Sequence, residues 1–356
     1  MARVVRDTRD GRWLARWRDP AGRQRKKSFA RKVDAQRWLD QLAAEMHRGH
    51  YIDPAAAKVL FGPYVERWAE GLPHLKPSTA ARYRGIVRRH VLPKWGSWQL
   101  GRISKSDVNA WITELVEQGL RPGSVRQVHR VLSLVLDAAM GDGRIARNPA
   151  VGVNLPRQVR AEPVFLTAEQ VRRLAAAAGA DELCVLTLAF TGLRFGELAA
   201  LKVKRFDPVR RRLMVAESCT EVGGKVVWST PKTHQTRSVP LPGPLVDRIG
   251  DLVRAKAADD LIFTAPGGGV LRLGNWRTRV FDVACRSAGL QGLSPHDLRH
   301  TAASLAIASG ANVKAVQRML GHASAAMTLD VYAGLFGDDL DALSDAMSTL
   351  LMGDPS

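Results

Sequence analysis

The stretch from Glu182 to Leu201, E-L-C-V-L-T-L-A-F-T-G-L-R-F-G-E-L-A-A-L, constrains the fold most. It is apolar all round, so a helix made from it has no face to give to water and must lie inside a core. Thr191-Gly192 interrupts the helix, and at the interruption stands Arg194, with Glu197 three residues on. An unpaired guanidinium in such a place would be very costly. A structural ion pair with Glu197 satisfies it, and a phosphate is the other ligand that fits.

A core of that kind needs a long chain around it. The 356 residues exceed one typical domain and suffice for two or three, with 46% hydrophobic residues to fill them. The formal charge is +19, from 53 basic and 34 acidic residues, which favours a polyanionic partner. No apolar run reaches transmembrane length, and the N-terminus M-A-R-V-V-R-D-T-R-D is charged where a signal peptide would be apolar, so a cytoplasmic, nucleoid-associated protein is expected, with no membrane partner. Cys184, Cys219 and Cys285 are odd in number and widely spaced, and imply neither a disulfide framework nor a zinc site.

The second informative stretch is Ser294 to Tyr332, S-P-H-D-L-R-H-T…L-G-H…D-V-Y. Ser294 suits an N-cap, Pro295 the first helical position and Asp297 the first turn, which predicts a helix starting there. His296 and Arg299 then share a face near its positive end, an arrangement suited to a phosphate. Gly310 should end that helix. A second is predicted from Val313 to Leu320 with Gly321 as its terminal glycine, followed at once by His322, and a short third segment ends at Tyr332.

Upstream, residues 1–50 hold 14 Lys or Arg against 6 Asp or Glu. G-R-W-L-A-R-W-R-D alternates, with Trp13, Ala15 and Trp17 on one face and Arg12, Arg16 and Arg18 near the other; a P-A-G turn leads to Arg25, Lys26 and Lys27, giving a basic hairpin and then a helix from Val33 to Arg48. Between Pro73 and Arg102 stand seven basic residues and no acid, among them Arg82, Arg84 and Arg88, on a helix capped by Ser78 and running to His90. Helices from Ser106 to Gln118 and from Pro122 to Met140 follow, the second carrying Arg126 and Arg130. Residues 149–163, with their prolines, read as a linker. Thr167 and Gln170 form a capping-box pattern. R-R-L-M-V-A, K-V-V-W-S-T and T-R-S-V-P-L read as one small antiparallel sheet, with Lys232 in its second turn. Residues 338–356 hold five acids and no base, with Leu340, Leu343, Met347 and Leu350 at helical spacing.

H-D-L-R-H, then L-G-H, then a Tyr ten residues later resemble the catalytic end of the tyrosine recombinases, the phage integrase family. T-G-L-R-F-G-E-L matches that family's first arginine motif, and T-P-K-T the place of its lysine, with Lys225 or Lys202 as fallbacks. The resemblance implies a multi-domain, mainly α protein with small β-sheets: an arm-type DNA-binding domain of sheet plus helix (1–55), an all-α, SAM-like core-binding domain (59–148), the linker, a mixed α+β catalytic domain (164–337) and a helical tail (338–356). It implies a site-specific recombinase of a phage or other mobile element, acting on double-stranded DNA at attachment sites. The assembly would be a tetramer on DNA with exchange of tails, aided by a DNA-bending protein or directionality factor and needing no cofactor or metal. Tyr332 would attack the phosphate to form a 3′-phosphotyrosyl bond. Arg194, Arg299 and His322 would stabilise the phosphate, Lys232 would protonate the 5′-oxygen, and His296 would help take the tyrosine proton.

Three other readings compete. His296 and His300 at i, i+4 suggest a zinc hydrolase, but H-D-L-R-H lacks the glutamate of H-E-x-x-H. A regulator using 301–321 as a helix-turn-helix explains the charge, not Arg194, Lys232 and Tyr332 together. A type IB topoisomerase shares the nucleophile chemistry, and strand exchange between two duplexes separates it from a recombinase.

Overall fold

A computed structural model describes residues 2–19, 22–47, 54–158, 162–230 and 236–335, with Ser344, Met347, Ser348 and Leu351 beyond them. Lys232 and most of the tail from Asp338 onward lie outside the described residues. The chain divides into two compact units, residues 1–159 and 160–356.

The first unit holds two hydrophobic clusters. Strands β1 (Arg3–Arg6), β2 (Trp13–Arg18) and β3 (Gln24–Phe29) form an antiparallel sheet in the order β1-β2-β3. Helix α1 (Lys32–His47) packs on it through Ala35, Leu39 and Leu42, which meet Ala15 and Trp17 of β2. The period-two alternation of β2 thus sorts its residues as expected, leaving Arg16 and Arg18 on the face away from the helix.

The second cluster belongs to helices. They are α2 (Phe61–Glu70); α3, in which Pro77–Ile86, a π-helical Val87–Val91 and Leu92–Trp95 run on as one element; α4 (Lys105–Glu117); and α5 (Pro122–Gly141). Helix α3 begins at Pro77 behind Lys76, one residue before the expected Ser78 cap, because proline suits the first helical position. It also runs past His90, since the wide π turn, closed by Leu92 N–H to the Val87 carbonyl, admits Pro93. Ser104 caps α4 in a reciprocal box with Asp107. Residues 149–158, expected as linker, pack on these helices instead. Ala150 is buried with Val153 and Leu155 beside it, the Asn148 amide bonds Ser133 and Asp137, and Arg126 donates to the Pro156 carbonyl.

In the second unit Thr167 and Gln170 form the expected box at the start of α6 (Ala168–Ala177). The apolar α7 (Glu182–Thr191) runs through the core between α6 and α11 (Asp297–Ala308) and ends at Gly192 with φ 65°, before the short α8 (Phe195–Leu198). A Cβ at Gly192 would come within 2.7 Å of Leu320, so the site needs glycine for space as well as for its left-handed backbone.

The expected single sheet is two. Strands β4 (Phe206–Asp207), β5 (Arg212–Val215) and β8 (Arg237–Pro240) form one, in the order β4-β5-β8; β6 (Ser218–Val222) and β7 (Lys225–Ser229) form a separate hairpin. Gly223 and Gly224 both have positive φ, the requirement of a tight hairpin turn, so K-V-V-W-S pairs with the polar strand just before it and not with R-L-M-V. Helices α9 (Gly243–Val253) and α10 (Leu273–Trp276, a π-helical Arg277–Phe281, and Asp282–Ser287) follow. Helix α11 begins at Asp297, not at Ser294 or Pro295: Ser294 gives both its N–H and its hydroxyl to the Asp297 carboxylate, which closes a turn ahead of the helix. Helices α12 (Val313–Leu320) and α13 (Ala325–Tyr332) complete the unit, with Gly321 left-handed between them.

Candidate active site

Three separated segments of the second unit meet at Arg299. Its side chain is 3% exposed, and its two terminal nitrogens donate to the carbonyls of Gly192, at the end of α7, and Leu320, at the end of α12, at 2.5 and 2.6 Å. Both acceptors sit at helix C-termini, where the backbone carries partial negative charge. Burial and the nearby Arg194 pull the Arg299 pKa well below that of a free arginine. That downward pull is the mark of a place where an anion is favoured.

Arg194 ends the loop after α7, and Glu197 answers it. The Glu197 carboxylate, 2% exposed, accepts from the Arg194 side chain and main chain at 2.9 Å each. It also accepts both terminal nitrogens of Arg237, at 2.9 and 2.6 Å. Burial alone would raise its pKa, but Arg237 and then Arg194 hold it below the usual carboxylate range. Arg237 further donates through Nε to the Met319 carbonyl and lies over Gly321, where a Cβ would meet it at 2.8 Å. One residue therefore links the strand after the Lys232 segment, the Arg194 loop and the end of α12. Two guanidiniums meet one carboxylate here, with Arg299 as a third cation nearby, an excess of positive charge matched to a phosphate.

His322 leaves Gly321 with its main chain held by Gln317 and its Nδ1 3.0 Å from the Thr328 hydroxyl. Burial first, and then Arg299 and Arg194, lower its pKa to about 4, so the ring is neutral at physiological pH. Tyr332, at the end of α13, is 2% exposed, and its ring lies near Phe165 and His300. Desolvation raises its phenol to about 12, against the opposing pull of Arg299.

The structure thus gathers Arg194, Arg299, His322 and Tyr332. The imidazole that touches the Tyr332 hydroxyl is His300, Nδ1 to Oη at 2.8 Å, where His296 was expected. His296 itself is exposed, its ring edge-on to His300 at 5.0 Å between centroids, and partial desolvation followed by His300 and Arg299 lowers its pKa. Of the fallback lysines, Lys202 is engaged with Glu217 and Asp259, and Lys225 is exposed beside the β6–β7 turn.

Three comparisons with known proteins agree with this geometry. The model for the phage integrase family matches residues 164–336, and that for the phage integrase N-terminal SAM-like domain matches residues 60–116. A tyrosine recombinase XerC of Shewanella amazonensis is 30% identical over 272 residues, covering 73% of this chain and 86% of that protein. The chain belongs to the tyrosine recombinase family. As such it is a tyrosine-type, site-specific recombinase. A putative prophage phiRv2 integrase of Mycobacterium tuberculosis is 28% identical over 91% of this chain and 89% of its own length. In fold the recombinase matches the Tn1549 transposon integrase in complex with a circular intermediate DNA, at TM-score 0.70, 20% identity, and 81% and 99% coverage of the two chains. A lambda integrase dimer bound to a core site matches at TM-score 0.59, 18% identity and 95% of each chain. Among the described residues no helix is long and apolar enough to cross a membrane, and no three His, Cys, Asp or Glu side chains assemble as metal ligands.

The basic residues of the first unit separate into kinds. Arg12, Arg18 and Lys26 are exposed and Arg16 is half-buried, with Arg3, Arg16 and Lys26 in direct cross-strand register. Lys27 instead lies over the rings of Phe29 and Trp38, and Arg25 pairs with Asp19. Arg82 rests beside Tyr83, Arg84 donates to the Ala69 carbonyl, and Arg88 and Arg130 are exposed.

Proposed function

We propose that this recombinase integrates and excises a phage or other mobile element, with Tyr332 as nucleophile and Arg194, Arg299 and His322 around the scissile phosphate. The observation that carries the reading is the convergence of a buried tyrosine hydroxyl, Arg299 held on two carbonyls, and Arg194 and Arg237 sharing the Glu197 carboxylate. The tyrosine oxygen attacks phosphorus as the 5′-oxygen leaves, so one phosphate ester replaces another and rejoining needs no nucleotide cofactor. Negative charge spreads over the non-bridging oxygens, where arginines fixed in advance lose no energy to rearrangement. The Thr328 hydroxyl donating to His322 Nδ1 would leave Nε2–H as a further donor. Lys232, outside the described residues, is assigned the protonation of the leaving oxygen, and His296 a place against the phosphate.

The cross-strand row Arg3, Arg16, Lys26 supports DNA binding by the first unit, since like charges directly opposite one another are destabilising without an anion between them. Arg12, Arg18, Arg88 and Arg130 extend that role; Lys27, Arg25, Arg82, Arg84 and Arg126 serve it less directly. On DNA the protein is assigned a tetramer with tails exchanged between copies. A groove of about 520 Å³ in the second unit, lined by Phe190, Leu241, Leu305, Ala306, Val316 and Met319, suits the tail of a neighbouring copy, in which Met347 and Leu351 are 59% and 88% exposed.

The test is strand exchange between two differently labelled duplexes carrying the element's ends. Hybrid duplexes formed without ATP are expected. Relaxation of supercoiled DNA with no exchange between duplexes would put a topoisomerase in the recombinase's place.

A further inference from the structure

The Tyr332 phenol, with a pKa of about 12, is ionised to roughly one part in 10⁵ at pH 7, so its attack on phosphorus needs a base beside it. Among the described residues its hydroxyl bonds one side chain, His300, at 2.8 Å. Resting on the recombinase reading above, we propose that His300 is a further catalytic residue, the base that receives the phenolic proton. His300 stands on α11 one position after Arg299, the phosphate-facing arginine, and Tyr332 closes α13, so the contact of α11 with the end of α13 brings base and nucleophile together.

The groups facing His300 are Asp297 and Arg299 on its own helix, His296 just ahead of that helix, Tyr332 from α13, and His322 from the segment after α12. Asp297 favours a protonated ring; burial and Arg299 oppose it and prevail. His300 is therefore neutral at rest, with the Nδ1 lone pair accepting from Tyr332 Oη–H and the ring proton on Nε2. In the forward step the phenolic proton passes from Oη to Nδ1, leaving an imidazolium, while the Oη–P bond forms and the P–O5′ bond breaks, the leaving oxygen taking a proton from the general acid. In rejoining, Nδ1–H returns the proton to the departing phenolate.

His300→Asn places an amide oxygen near the Nδ1 position, keeping an acceptor while removing basicity. The experiment uses the full chain and a duplex of the element's end nicked beside the cleavage point, and measures single-turnover formation of the covalent adduct. At pH 7 the variant should be slower by about 10²-fold or more, with DNA affinity within a few-fold of wild type. Its log rate should climb with unit slope from pH 7 to 9, as hydroxide replaces the missing base, while the wild-type rate stays flat. His300→Ala should be equally slow and should regain speed with added imidazole, which a residue that only packs against Tyr332 would not permit. Wild-type speed and pH profile in His300→Asn would overturn the proposal, as would a slow His300→Ala that ignores imidazole. A wild-type protein that forms no adduct would instead sink the recombinase reading itself.

Discussion

Arginine is used in two opposite ways in this molecule. In the N-terminal sheet Arg16 lies between Arg3 and Lys26, a row of like charges on a face that α1 does not cover. In the second unit Arg299 is buried and Arg237 partly so, and their donors are committed to Gly192, Leu320, Met319 and Glu197 before any ligand arrives. The first arrangement leaves side chains free to follow a backbone and contributes affinity through counterion release. The second fixes geometry, which is what a transition state can use. Number of charges matters in one region, and position in the other.

Substitutions that keep charge but change geometry should split the two regions. Arg299→Lys keeps the cation but cannot span two carbonyls with a planar fork. Covalent-adduct formation should fall by about 10³-fold or more, with little change in DNA affinity, as gel shift and single-turnover kinetics would show. Arg237→Lys, one contact further out, should cost on the order of 10²-fold by displacing Arg194 and the end of α12. A loss smaller than that of an exposed arginine would refute the distinction. The smallest effect belongs to the sheet: Arg16→Ala with Lys26→Ala should leave cleavage of saturated DNA unchanged and flatten the log–log salt dependence of binding by about 2. An unchanged slope would mean that this row meets no phosphate.

The residues that carry local rules were readable from the chain. Val313 to Leu320 with Gly321, the Thr167–Gln170 box and the Arg194–Glu197 pair all depend on neighbours three to eight positions away. Arg237 and His300 were not, because their partners lie 40 and 32 residues off. Arg237 reads as an ordinary basic residue in a short strand; the available signal was its period-two match to Val239, which is fully buried. His300, four residues after His296, reads in the sequence only as half of a metal-ligand pair. The K-V-V-W run was misplaced for a related reason, since its polar partner strand has no alternating apolar pattern to announce it.

The proposed nucleophile is one oxygen, the hydroxyl of Tyr332, which lies 2.8 Å from His300 Nδ1. Trapping the full-length protein on a nicked duplex of the element's end, digesting the adduct and mapping the nucleotide-bearing peptide tests that directly. The phosphate should be found on Tyr332, and Tyr332→Phe should form no adduct while binding DNA within a few-fold of wild type. An adduct that persists in the Phe variant, or that maps to Tyr64 or Tyr83, would contradict the assignment of the nucleophile.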